Sequence, residues 1–196
     1  MKKVAAILFV SALTTAGFSQ GLVSFANGPT TEIRLGGVHS VLDSGLIPSN
    51  DAGGFCFGLL TSPSATGPFG FSGLYATNSA TAGRIAAYTT SVSGWAPGAA
   101  RFYEVAGWSA SLGQAFDPNW LTGNFRAPGF FGVSAIATGT AGGGSPVPAP
   151  AWNLFGGTGL TGFNLDPINL VPEPSSFALG CLGASVLVLR RRKLMN

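Results

Sequence analysis

Charge is what this chain has least of. Asp, Glu, Lys and Arg make up 9% of its 196 residues, and the basic ones gather at the ends. Lys2 and Lys3 open the chain, and Arg190, Arg191, Arg192 and Lys193 nearly close it, so the formal net charge of +3 belongs to the termini. Between residues 21 and 170, Arg34, Arg84, Arg101 and Arg126 face Glu32, Asp43, Asp51, Glu104, Asp117 and Asp166, four against six, which leaves −2. A nucleic-acid binder needs a basic face to neutralise phosphates. The body has none, and nucleic acid is excluded as a partner.

Histidine and cysteine are nearly absent too. With His39 as the single histidine and the acids dispersed, a transition-metal cluster is not expected. Asp43 and Asp51 bracket a polar loop that could offer oxygens to calcium, but the spacing is not that of an EF-hand and a solvated loop is expected. A Ser-His-Asp triad would have to use His39. No G-x-S-x-G elbow exists, and GFSG (70–73) misses it. Glu104 and Asp117 are the only carboxylates that suggest a glycosidase pair, and Glu104 reads more simply as an outward strand residue. GTGLTG (157–162) fits G-x-G-x-x-G, but FNLDPINLVPEP follows it and cannot form the required helix, so it is read as a turn. Cys56, between Phe55 and Phe57, reads as a small buried hydrophobe. Cys181 lies in the apolar terminal run, where a bridge to a folded body is hard to build. No catalytic, cofactor or metal residue is assigned, and the chain is expected not to be an enzyme.

Helical periodicity is the third absence. No stretch of the body keeps apolar residues at 3.6 spacing over three turns. Short strand-like runs recur instead, punctuated by Gly, Pro and Asn. They are GLVSFAN, TEIRLGG with Ile33 and Leu35 on one face, GFCFGLLTS, GRIAAYTTSV, ARFYEVAGWSASL, GFFGVSAIATGT, WNLFGG and TGFNL. The 15 Phe and 4 Trp argue against disorder. The expectation is an all-β fold, an antiparallel β-sandwich or jelly-roll-like domain over residues 20–170. TAGGGSPVPAPA (140–151) is expected to be a flexible loop. Trp108 is assigned to the core. Trp95 and Trp120 stand in turn-like contexts and, with Tyr103, are the candidates for stacking on sugar rings.

The two ends read as addresses. Lys2-Lys3, the apolar residues 4–13 and the small residues before Gln20 make a secretory signal peptide over 1–19, with Gly17 and Ser19 at the −3 and −1 positions. At the other end, VPEP (171–174) precedes an uncharged run, 175–189, and then RRRK. As a helix that run spans about 22 Å against about 30 Å of hydrocarbon, a marginal single transmembrane helix helped by snorkelling arginines. The arginines should stay cytoplasmic, leaving the body on the periplasmic side.

This order of Pro-Glu-Pro element, apolar helix and basic cluster, residues 171–196, resembles the PEP-CTERM sorting signal of Gram-negative bacteria. The opening QGLVSFANG is similar to the start of mature proteins with such tails. The resemblance implies an exosortase-type processing enzyme as partner, a transient stay in the inner membrane, and delivery to the cell surface or exopolysaccharide matrix. Val171, Pro172, Glu173 and Pro174 would be the recognition element, and Arg190, Arg191, Arg192 and Lys193 the stop-transfer cluster. The expected role is noncatalytic, structural or adhesive. The alternative is a carbohydrate-binding module that docks on exopolysaccharide through Trp95, Tyr103 or Trp120. A matrix-acting enzyme is the weakest reading.

Overall fold

The computed structural model describes residues 20–36, 45–50 and 54–168. The expected signal peptide, His39, Asp43, Asp51, Cys181 and the tail with its apolar run and basic cluster lie outside the described residues. Among the described residues no helix is long and apolar enough to cross a membrane.

In chain order the strands are β1 (Gly21–Ser24), β2 (Arg34–Leu35), β3 (Phe55–Ser62), β4 (Gly70–Thr77), β5 (Thr89–Val92), β6 (Ala100–Ser109), β7 (Gly129–Val133), β8 (Ala137–Thr140), β9 (Trp152–Asn153) and β10 (Asn164–Ile168). Short 3₁₀ turns at Ala110–Leu112 and Pro118–Thr122 follow β6. The fold is mostly β, as the turn-punctuated runs predict. Two sheets form, and neither closes: one of three strands, β5-β1-β9, and one of seven, β2-β10-β7-β6-β3-β4 with β8 also on β6.

The large sheet is organised by its two most apolar segments. β3 and β6 pair antiparallel along the whole of β3, from Phe55 opposite Ser109 to Ser62 opposite Phe102. Seven of the eight β3 residues are buried, because the strand is covered on both faces. That is why its sequence is continuously apolar rather than alternating. On its other edge β6 meets β7 through Ala106–Trp108 and β8 through Ala100–Tyr103. The expected single run GFFGVSAIATGT is therefore two strands. Ser134 bridges the break: its amide donates to the Val105 carbonyl at 2.9 Å, and its hydroxyl oxygen accepts from the Val105 amide at 3.0 Å. The bulge keeps the ladder satisfied while the strand bends.

Most pairs are antiparallel, as expected, but β1 with β9 and β10 with β2 are parallel. Both arise because a late, short strand returns beside an early one. The segment 140–151 also departs from its reading as a flexible loop. Gly143 and Ala149 exchange backbone hydrogen bonds at 2.7 and 3.1 Å, and Gly142 exchanges a pair with Leu22, both at 3.0 Å. Small residues here permit close approach rather than freedom: a Cβ on Gly142 would lie 1.9 Å from the Pro150 carbonyl oxygen.

The main core draws on both sheets. Val23 of β1 and Val92 of β5 share it with Phe57 and Leu59 of β3, Tyr103 and Val105 of β6 and Leu165 of β10. A second cluster lies on the opposite face of the large sheet, where Cys56, Leu60, Ala106, Trp108 and Trp120 are packed under Phe69, Phe116, Phe125 and Phe131. Strand parity explains the division. Along β6, Tyr103 and Val105 point to the main core, while Ala106 and Trp108 point to the aromatic cluster.

Candidate functional site

The three aromatic residues singled out for sugar contact are all buried. Trp95 is 1% exposed, Tyr103 0% and Trp120 5%, so none presents a ring face to solvent and that assignment is corrected. Trp95 sits on a turn, yet its ring folds back over Tyr103, and its indole N–H donates to the Ala99 carbonyl at 2.8 Å. Trp120 belongs to a 3₁₀ turn whose chain lies across the outer sheet face. Its ring packs against Trp108 at 5.6 Å, Phe116 at 6.0 Å and Phe131 at 6.2 Å. Burying these large rings is the main reason the 110–128 segment stays on the sheet. Trp108 is a core residue, as its strand position predicts.

The two carboxylates are engaged differently. Asp117 is the N-cap of the 3₁₀ turn Pro118–Thr122: its Oδ1 accepts from the Asn119 backbone N–H at 2.9 Å and from Asn119 Nδ2 at 2.8 Å. Glu104 is half-buried opposite Leu60, and loss of water raises its carboxyl pKa above the ordinary value. Cys56 is buried, as read from its flanking phenylalanines, and the same cause raises its thiol pKa. The GTGLTG segment is a turn between β9 and β10, as expected.

Two surface grooves stand out. One, of about 250 Å³, is lined by Pro29, Thr30, Glu32, Arg34 and residues 161–164. Its two charges are already paired with each other, at 3.3 Å. The other, of about 460 Å³, is lined by Trp152, Asn153, Phe155, Gly156, Gly157 and Thr158. Trp152 was not among the candidates, because WNLFGG reads simply as a strand entering a turn. Its ring is held from below. The indole N–H donates to the Tyr103 hydroxyl at 3.1 Å, and that hydroxyl donates to the Leu154 carbonyl at 3.0 Å. Burial raises the Tyr103 phenol pKa, with the Trp152 hydrogen bond partly opposing it. The pyrrole part of the indole lies on Gly139, where an added Cβ would come within 2.3 Å of Nε1. Tyr103 is therefore a support one layer beneath a groove, not a contact within it.

Beyond β10 the tail carries a sorting address of the kind found on exported proteins. Residues 170–193 match the PEP-CTERM protein-sorting motif. The chain thus carries a PEP-CTERM sorting motif, which implies processing by an exosortase and export to the cell surface with a transient stay in the membrane. The matched span contains Val171, Pro172, Glu173 and Pro174 together with Arg190, Arg191, Arg192 and Lys193. No curated protein and no solved structure matches the chain.

Proposed function

We propose that this is a noncatalytic surface protein whose β body is the delivered part, with a structural or adhesive role in the exopolysaccharide around the cell. The observation that carries the reading is the sorting motif itself. It begins two residues beyond Ile168, the last residue of β10, so the address follows the folded body directly. In this reading Val171 to Pro174 are what the exosortase recognises, and Arg190 to Lys193 hold the cytoplasmic side while the body stands in the periplasm. We read the two sheets sharing one core as a sandwich-like arrangement. Such a body suits passive surface work, and the Asp117 carboxylate that a hydrolase would need is spent on a cap.

A second reading, a carbohydrate-binding module on exopolysaccharide, is favoured by one observation, the Trp152 groove. Trp95, Tyr103 and Trp120 no longer support it.

The sorting part is tested with the triple variant Pro172→Ala/Glu173→Ala/Pro174→Ala. A simple anchor needs only the hydrophobicity of 175–189 and the basic stop, whereas a sorting signal needs an enzyme to read the element before the membrane. The variant should insert normally but remain in the inner membrane uncleaved. Fractionation with a tag in the exposed 145–150 segment, comparing the masses of membrane and surface pools, reads the outcome. Surface delivery at wild-type mass and yield would show the tail to be a plain anchor.

A further inference from the structure

We propose that the groove beside Trp152 is a binding site for a neutral saccharide, a run of uncharged sugar units in a polysaccharide chain. The inference deepens the surface-protein reading and rests on it only for where such a ligand would be met.

Four features of the groove point to this chemistry. Trp152 is half-buried and lines the groove, and its indole is fixed on Gly139 and by the hydrogen bond to Tyr103. A flat aromatic ring held rigid is what the C–H face of a pyranose packs against, and fixing it beforehand removes the ordering cost that weakens binding by mobile side chains. The surroundings then supply hydrogen-bond partners for hydroxyl groups. Asn153 is exposed at the end of β9, with its Oδ1 making only a long contact, 3.4 Å, to the Phe155 amide. Thr158 is exposed too, and among the described residues the amides of Gly157 and Thr158 carry no hydrogen bond. Those amides are presented by an ordered turn. Gly156 and Gly157 both have positive φ, 84° and 58°, and the turn is closed by Gly156 N–H to the Leu160 carbonyl at 2.8 Å.

Charge and size narrow the ligand. None of the six lining residues is ionisable, so a uronate, sulfate or phosphate group would meet no opposite charge there, only the two turn amides, to set against its desolvation. The volume of about 460 Å³ falls within the range of roughly 300–1,000 Å³ typical of small-ligand sites, enough for a short stretch of a chain crossing an open groove. The same polar-with-aromatic lining is wrong for a lipid tail, which would leave the amides and the Asn153 side chain unsatisfied.

The test is calorimetric titration of the full-length chain, purified from membranes in detergent, with cellohexaose, laminarihexaose, mannohexaose, xylohexaose and, as the charged comparison, a hexamer of alginate. At least one neutral hexaose should bind. Trp152→Ala should weaken that binding by about tenfold, the equivalent of one aromatic contact, while Trp152→Phe should retain much of it. Asn153→Ala changes an exposed side chain and should weaken binding several-fold at an unchanged melting temperature. If Trp152→Ala fails to fold, Asn153→Ala together with Thr158→Val decides. Absence of binding by every neutral hexaose at millimolar concentration overturns the proposal. So does binding that survives these variants unchanged, or preference for the alginate hexamer. Because sorting is read in cells from the triple tail variant and saccharide binding from purified protein, either reading can fail without the other.

Discussion

Glu104 shows how one side chain can cost a fold more than its neighbours return. It stands opposite Leu60 on the sheet face that carries Ala106 and Trp108, and loss of water raises its pKa. The folded chain therefore holds this proton more tightly than the unfolded chain. Below the ordinary carboxylate range, about 4.3, both states are protonated and the cost is absent. It builds as pH rises from there through the folded-state pKa, and it is fully present above that value. Glu104→Gln should accordingly melt above wild type at about pH 7, by an amount that shrinks on acidification and vanishes near pH 3. A gap that widens toward acid would mean that the carboxylate is favourably paired after all. At this same scale the sequence misleads about tryptophan. The contexts SGWAPG and DPNWLTG locate Trp95 and Trp120 on turns, and both backbones do turn there. Local context fixes where a backbone bends, but not which way a long side chain then points. Both rings swing inward, because burying an indole outweighs the preference of the turn for solvent.

Between elements, two buried or half-buried asparagines replace strand pairing with side-chain clamps. Asn27 Oδ1 accepts from the Ile85 amide at 2.8 Å, and its Nδ2 donates to the Thr31 and Gly83 carbonyls, both at 2.9 Å, tying the stretch after β1 to the turn before β5. Asn78 works alike at the end of β4, accepting from the Phe55 amide and donating to the Pro48 carbonyl, both at 3.0 Å. Asn27→Ala would strand two backbone groups, the Ile85 amide and the Thr31 carbonyl, whereas the Gly83 carbonyl keeps the Ile33 amide at 3.0 Å. The expected loss is about 2–6 kcal/mol, since each unsatisfied group away from water costs about 1–3. Urea unfolding checks it: a midpoint equal to wild type would mean that water replaces the clamp. Neither clamp is legible in the sequence, where Asn reads only as turn punctuation. The long strands are legible, because β3 and β6 are buried on both faces and their composition says so. β4 is not. Gly70 and Gly73 interrupt its apolar pattern, and a register shift opposite Gly58 to Leu60 breaks its alternation. The Trp152 groove is equally hidden, since it needs Gly139 and Tyr103 from two other strands to set the ring.

For the molecule as a whole, delivery by a cleavable tail requires a body that keeps its structure once the tail is gone. The pairings bear on this directly. At the amino end the described contacts begin with Gln20, which accepts from the Ser91 hydroxyl at 2.8 Å, and with Gly21, whose amide donates to the Trp95 carbonyl at 2.6 Å. At the other end β10 is an interior strand, with β2 on one side and β7 on the other, and Leu165 is fully buried against Gly107. Ending the chain just after β10 removes none of these bonds. Ending it before β10 removes both ladders and a core leucine worth about 2–5 kcal/mol by itself, a large part of the roughly 5–15 kcal/mol that holds a domain together. A fragment of residues 20–168 should therefore be soluble, give a β-type far-UV circular dichroism spectrum and unfold in one cooperative transition. A fragment of residues 20–163 should lose that transition. If the shorter fragment melts like the longer one, β10 is dispensable and the body could be cut anywhere near its end. If the longer one is itself unfolded, the body needs its terminal segments, and a tail built to be cut away would leave nothing folded at the surface.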